Sequence, residues 1–441
     1  MSKKIDLEKD SVKKLFYRFA IPAALGMTVN SLYVVADGVF IARGIGSQGI
    51  AAVNIGYPLI NLMAALSLMF GTGGATLISI KSEDIQYRNK CFSYIIFLNV
   101  IFYTFIASIV FMFTNPLMKV MGADENLLPM VKGYMYPCIL ATLFLMLSIS
   151  LNAIVRNDNA PKKAMYSLVI GAITNIVLDY VFIFKMNMGI EGGAYATAIG
   201  QVLSAGYLCT HFIGSTFKFK INLKEIEWNI INKILSVGFS SFVLEFAVMV
   251  ITILLNIVLM ERVGIIGASA FGIISYSFVI LRMFFTGLSQ GIQPIVSYNY
   301  GKNNMGRVKE IFRFAHKFSF LAGVASLILV KVLAVPIVRL FTEEAELIPL
   351  TAKGLLLYSS AIVFVGANFM NISYLQSMGR AKVSNTIALL RGVVFIVISL
   401  MILPNLLGIN GIWLALPFSD LLTFITTLLV FKFVLNKEQA F

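Results

Sequence analysis

Long apolar runs follow one another along almost the whole of the 441-residue chain, parted by short polar stretches. A helix needs about 20 apolar residues to cross the hydrocarbon of a bilayer, so each run predicts a membrane-spanning helix. Twelve are expected, at 15–42, 49–80, 91–114, 129–154, 162–184, 190–212, 231–260, 267–298, 317–341, 350–376, 385–405 and 409–433. The longest polar stretch, 213–232, falls in the middle and carries Lys218, Lys220, Lys224, Glu225, Glu227 and Trp228. It predicts an amphipathic linker between two six-helix halves. The domain plan is an N-terminal segment 1–14, an N-lobe 15–212, a linker 213–230, a C-lobe 231–433 and a tail 434–441.

The halves overlay. At an offset of 218, residues 19–80 fall on 237–298 without a gap, with Gly46 on Gly264, Ala52 on Ala270 and Gly73 on Gly291. At an offset of 219, Gly189-Ile190-x-Gly192-x-x-x-Ala196 falls on Gly408-Ile409-x-Gly411-x-x-x-Ala415. Each half crosses six times, so the repeats run in parallel about an axis along the membrane normal. That is a transporter plan. The fold class is therefore an all-α polytopic membrane protein, with twelve transmembrane helices in two pseudo-symmetric six-helix lobes.

Composition agrees. The chain is 59% hydrophobic and 13% charged, with mean hydropathy +0.87, against about 45–50% and about 25% for soluble domains. Short loops leave no room for a soluble ATP-driven engine, and no G-x-x-x-x-G-K-[ST] loop is present. A net charge of +14 would point to nucleic acid in a soluble chain. Here the basic groups gather before the first run and after every second one, as in Lys81/Arg88/Lys90, Arg156/Lys162/Lys163, Lys302/Arg307/Lys309 and Arg380/Lys382. Intervening loops carry Asp124/Glu125 and Glu343/Glu344/Glu346. By the positive-inside rule both termini are cytoplasmic, and no nucleic-acid partner is expected. The polar N-terminus lacks the apolar core of a signal peptide. Cys91, Cys138 and Cys209 lie apart, with neither metal nor disulfide spacing, and His211 and His316 are assigned no role.

An acid at the bilayer centre costs about 2.5–3.5 kcal/mol on insertion scales, so intramembrane acids mark functional sites. Asp37 lies in the first span and Asp179 in the fifth, with Asn175 one turn before it on the same face. Thr197 lies on the sixth span, which returns after a short turn. Together they form an all-oxygen set suited to a hard cation or to a proton. The second half has Leu255 and Leu416 opposite Asp37 and Thr197, and Ile-Val-Ile-Ser near residue 398. Interhelical packing alone would not require that one-sidedness. In the second half, Arg391 and Asp420 are expected to form a structural ion pair. Glu245 is open to three roles: a second proton site, a contact for a cationic substrate, or packing. Arg282 is placed to pair with it. Pro22 and Gly26 permit the first helix to kink in response to the charge of Asp37.

Three stretches resemble the multidrug and toxic compound extrusion (MATE) transporters, in the branch of DinF-like and MepA-like bacterial members. They are VNSLYVVADGVFIARGIGSQGIAAVNIGYP at 29–58, TNIVLDYVFIFKMNMGIEGGAYAT at 174–197, and GLSQGIQPIVSYNYG at 287–301. The resemblance implies that Asp37, Asn175, Asp179 and Thr197 form an N-lobe site for sodium, a proton or both. It also implies that Tyr33 and Asn152 line the substrate cavity. Two positions depart from the family: Tyr180 follows Asp179 where many members have proline, and the tenth-span aspartate of one branch is absent, with Asn368 and Asn371 the nearest polar residues.

The function expected is that of a secondary antiporter, not an enzyme. It would export amphipathic organic cations and drugs in exchange for Na+ or H+, with no cofactor, as a lipid-surrounded monomer in the bacterial cytoplasmic membrane. Glu245 and Arg282 join Tyr33 and Asn152 as expected cavity residues. The chief rival is a lipid-linked oligosaccharide flippase of the same superfold, whose cavity needs many cations; Arg282 and Arg391 are the main ones in view. A membrane enzyme would need an aspartate-rich metal motif, G-x-S-x-G or H-E-x-x-H, and none is present.

Overall fold

A computed structural model describes residues 5–220 and 226–432. Lys3, Lys4, Lys224, Glu225 and the tail 434–441 lie outside the described residues. The described chain is helical throughout: α1 (Val12–Gly44), α2 (Ser47–Ile80), α3 (Ile85–Met112), α4 (Thr114–Val120), α5 (Leu128–Asn157), α6 (Pro161–Asp179) and α7 (Gly189–Cys209) make the first half. The second comprises α8 (Trp228–Arg262), α9 (Ile265–Gly301), α10 (Met305–Arg339), α11 (Leu347–Ser359), α12 (Ile362–Ser377), α13 (Ala381–Leu389), α14 (Phe395–Leu407) and α15 (Ile409–Val430). Local chemistry starts several of these helices. Ser11, Asp84 and Asn304 cap α1, α3 and α10 through their side chains, and Pro161 opens α6.

Eleven described helical segments are long and apolar enough to cross a membrane, α11–α12 and α13–α14 each counting once. The expected span missing from these eleven is the sixth, α7. Its 21 residues reach about 31 Å, but five glycines, Glu191 and Gln201 dilute its apolar run. The tenth span is two helices, interrupted at Ser360–Ala361, and the eleventh widens into a π-helical turn at Leu390–Val394. The ninth starts at Met305 rather than 317, because its first turns are helical but charged.

The repeat is written into the backbone. Gly46 and Gly264 have φ of 91° and 77°, and Gly189 and Gly408 have 61° and 59°. Left-handed turns, which glycine adopts without a steric cost, thus recur at the positions the sequence overlay pairs. Asn159 and Gly379, at 62° and 70°, extend the match to the turns that precede α6 and α13.

Two hydrophobic cores form, and they exchange helix ends. Leu15, Phe16, Phe19, Ala20 and Ala24 of α1 lie in the core of the second half, among Phe285, Leu288 and Ile292. Ile230, Ile231, Ile234 and Val237 of α8 lie in the core of the first half. From Gly26 onward α1 returns to its own lobe; a methyl there would stand 3.0 Å from Leu168 of α6. The exchanged ends meet the opposite lobe backbone to backbone. Gly287 and Gly291 abut Ala24 and Ala20, and the symmetric contact sets Gly238 against the Met69 carbonyl and Gly73 against Ile234.

These approaches lie in the half of the molecule nearest the N-terminal face, with a buried polar layer among them. Gln293 donates to the Thr72 carbonyl at 2.9 Å and to Thr76 Oγ1 at 2.6 Å. Gln376 donates to the Val237 carbonyl at 3.0 Å and to Ser241 at 2.8 Å, and Thr72 donates to Ser241 at 3.0 Å. At the rim, Asn299 and Arg307 hold the Leu7 carbonyl at 3.1 and 3.2 Å, and Lys302 pairs with Glu83. Lys14 hydrogen-bonds Asp10, which holds that carboxyl below its usual range. Gly238→Ala is expected to destabilise this closed arrangement by about 1–3 kcal/mol through overpacking, read as earlier thermal unfolding. Gly206→Ala on α7, which meets nothing within 4 Å, should leave the unfolding curve in place.

Candidate functional site

Asp37 and Asp179 come together toward the far face of the first lobe. α6 starts at the N-terminal face, so Asp179 lies about 27 Å of helical rise along it. Beyond Asp179 the helix opens into a π-helical turn, Tyr180–Lys185, a local widening common at functional sites. Gly171 and Gly200 let α6 and α7 touch: a methyl on Gly200 would stand 2.9 Å from the Gly171 carbonyl. That close crossing brings Thr197, one turn away, to Asn175. The Asn175 amide donates to Asp179 Oδ2 at 3.1 Å and accepts from the Thr197 hydroxyl at 3.1 Å in the orientation that satisfies both ends.

The Asp37 and Asp179 carboxyl groups are close neighbours. Oδ1 of each is buried without a donor, and Asp179 is fully buried. Two neighbouring carboxylates, one of them fully buried, repel each other, and a shared proton or a bound cation relieves that repulsion. The residues fit either partner: a shared proton supplies the missing donor, and the surrounding oxygens suit a small hard cation.

The site opens on a cavity of about 240 Å³. Asp37, Asn175 and Thr197 line it at one end, with Tyr33, Tyr57 and Tyr134 along the wall. Met27 and Met283 add thioethers, and among the described residues no phenylalanine lines it. Asn152 lines the other end, donating to the Ala164 carbonyl at 2.7 Å and to Ser167 at 3.2 Å. The second lobe contributes Glu245, Met283 and Gln290. Arg282 does not line the cavity; it reaches it only through Glu245, to whose oxygens its Nη1 donates at 3.3 and 3.4 Å. Pro22 lies inside α1, which runs unbroken from Val12 to Gly44.

Arg391 and Asp420 pair away from the cavity, with Nε to Oδ1 at 2.7 Å and Nη2 to Oδ2 at 3.2 Å. Asn368 donates to the same carboxylate at 2.8 Å, and Phe369 lies under the guanidinium. His211 hydrogen-bonds Asp158 at 2.9 Å, beside Arg88, in a tie at the N-terminal face. The three cysteines are free.

Two features escape the sequence pattern. Arg156, grouped there with the loop cations Lys162 and Lys163, is buried and lines the cavity. The Thr72–Gln293–Gln376 layer combines residues far apart in sequence whose polarity is ordinary one at a time.

Over 96% of its length the chain is 23% identical to the multidrug export protein MepA of Staphylococcus aureus (strain MRSA252), covering 94% of that protein. It is 24% identical to MepA of Staphylococcus saprophyticus, with the same shares covered. A solved structure described as the outward-facing conformation of a multidrug resistance MATE family transporter of the MOP superfamily superposes over the whole of both chains. Its TM-score is 0.93 at 22% identity, a likeness of fold. The MatE family matches twice, at 22–181 and at 241–401, once on each half of the repeat. With both halves matched, the chain belongs to the MatE family of membrane transporters.

Proposed function

We propose that the protein is a secondary antiporter that exports amphipathic organic cations and drugs in exchange for sodium ions or protons. It works in a bacterial cytoplasmic membrane with both termini in the cytoplasm. The observation that carries this reading is the Asp37–Asp179 pair, Oδ1 of each left without a donor, beside a cavity that Asp37 lines and that the lobes seal toward the N-terminal face. The positive-inside rule puts that sealed face in the cytoplasm, so the cavity is accessible from outside. A proton or sodium ion arriving from outside neutralises the pair and weakens its hold on a cationic drug, which leaves. The lobes then rock about the exchanged helix ends, and the site discharges inside. Three tyrosines and two methionines give aromatic cations a stacking and adaptable wall.

The export activity named for the MepA relatives supports the substrate class. The cation supply argues against an oligosaccharide flippase. Arg391 is tied to Asp420 and Arg282 to Glu245, leaving Arg156 as the cationic residue on the cavity wall among the described residues. The test uses purified protein in liposomes loaded with a fluorescent organic cation, under sodium and proton gradients imposed separately. Dye movement under one gradient is expected, and it names the ion. Movement under neither would overturn the antiport reading.

A further inference from the structure

Near the N-terminal face, α1 and α10 run side by side. Phe16 packs on Phe314 and Phe318 with ring centroids 5.1 and 4.9 Å apart, and Tyr17 meets Phe318 at 6.4 Å. That last contact sets the chain neighbours of the two rings, Arg18 and Lys317, at about one depth. Arg313 lies one turn nearer the N-terminal face. Tyr17 is 46% exposed, and Leu321 and Leu25, one and two turns deeper than the cations, are 57% and 52% exposed.

These cations have no internal partner. Among the described residues none forms an ion pair or hydrogen bond with the side chain of Arg18, Arg313 or Lys317. Asp10 is bonded by Lys14 and feels Arg18 only through space. Glu310, three residues before Arg313, is exposed and bonded to neither α10 cation.

The positive-inside rule asks for cations on this face, but it does not fix their places. The repeat supplies an internal control. Matching the helix caps Asp84 and Asn304 sets Arg313 on Ser93 and Lys317 on Phe97. The offset of 218 sets Arg18 on Ser236. The equivalent seam, α3 beside α8, therefore lacks all three charges, and its Lys90 is bonded by Glu227. The fold does not require them.

Cations at the border of polar and apolar surface, with an exposed apolar lane beyond them, suit an anionic head on a hydrocarbon tail. A soluble anion would leave the lane bare. We propose that the groove between α1 and α10 binds an anionic phospholipid, its phosphate on Arg18, Arg313 and Lys317 and an acyl chain along Leu25 and Leu321. The guanidinium fork matches phosphate oxygens in paired hydrogen bonds, and a tyrosine at headgroup level is at home beside them. The inner end of α1 sits in the second core and its continuation packs on α6, so the lipid clasps the helix that joins the lobes. That the leaflet is the cytoplasmic one rests on the proposed orientation; the binding does not.

The test is native mass spectrometry of the purified protein, titrated with phosphatidylglycerol or with phosphatidylcholine of the same chains. Each basic group at an anionic headgroup surface is worth about fivefold in affinity. Wild type is expected to take phosphatidylglycerol about tenfold or more tighter than phosphatidylcholine, and Arg18→Gln/Arg313→Gln/Lys317→Gln to lose most of that preference. The control, Lys162→Gln/Lys220→Gln/Lys382→Gln, removes three exposed charges from the same face and should keep it. Equal losses in both triple variants, as a diffuse basic rim would give, overturn the proposal, as does a wild type indifferent to the headgroup. Unfolding temperatures in lipid-free detergent should match. If the first triple variant unfolds early, Arg313→Gln/Lys317→Gln, both exposed on α10, carries the same comparison. The assay uses neither gradient nor drug, so its failure leaves the efflux reading standing.

Discussion

Asp37→Asn and Asp179→Asn should each reduce gradient-driven dye efflux to the level of protein-free liposomes, with normal amounts of folded protein in the membrane. Each change keeps size and removes one of the two neighbouring carboxylates, so the pair can no longer exchange a charge with a proton or cation. Asn175 and Thr197 keep the geometry around Asp179, which makes a folding defect an unsuitable explanation for the loss. The measurement is efflux under each gradient, beside thermal unfolding and membrane yield. If both variants pumped at the wild-type rate, the coupling site would lie elsewhere, and Glu245 would be the next residue to change.

The second large effect is on stability. Asp420→Leu is expected to cost about 3–5 kcal/mol, because it strands the buried Arg391 guanidinium and leaves the Asn368 amide short of an acceptor. The double variant Arg391→Met/Asp420→Leu should recover most of that loss, since it removes the charge together with its partner. Thermal unfolding of the purified variants checks both. A double variant as unstable as the single one would mean that the pair acts through more than its own charge balance.

Much of this was legible in the chain. Asn175 and Asp179 are one helical turn apart, and Thr197 follows across a short loop, so three of the four proposed coupling residues could be grouped from the sequence. What brings Asp37 to them is the close packing of α1 on α6 beside Gly26, which no periodicity reveals. Boundaries failed where hydropathy and helix part company. The first three turns of α10 are charged yet helical, and the break at Ser360–Ala361 has neither glycine nor proline to announce it. Arg156 was misplaced for a related reason. An arginine next to loop lysines reads as a loop cation, and only the three-dimensional course of α5 turns it inward.

The exchange of helix ends between the cores bears on how the chain is assembled. Ala20 and Ala24 leave the ribosome early, but the glycines they rest on, Gly287 and Gly291, are made about 270 residues later. At roughly 5–20 residues per second, that wait is on the order of 15–50 s. Throughout it the first helix has lipid or a chaperoning insertase, not its final partner, against its inner half. The N-terminal six helices therefore cannot mature as an independent unit: their core waits for the start of α8, and the inner end of α1 docks into the second core only after α9 is made.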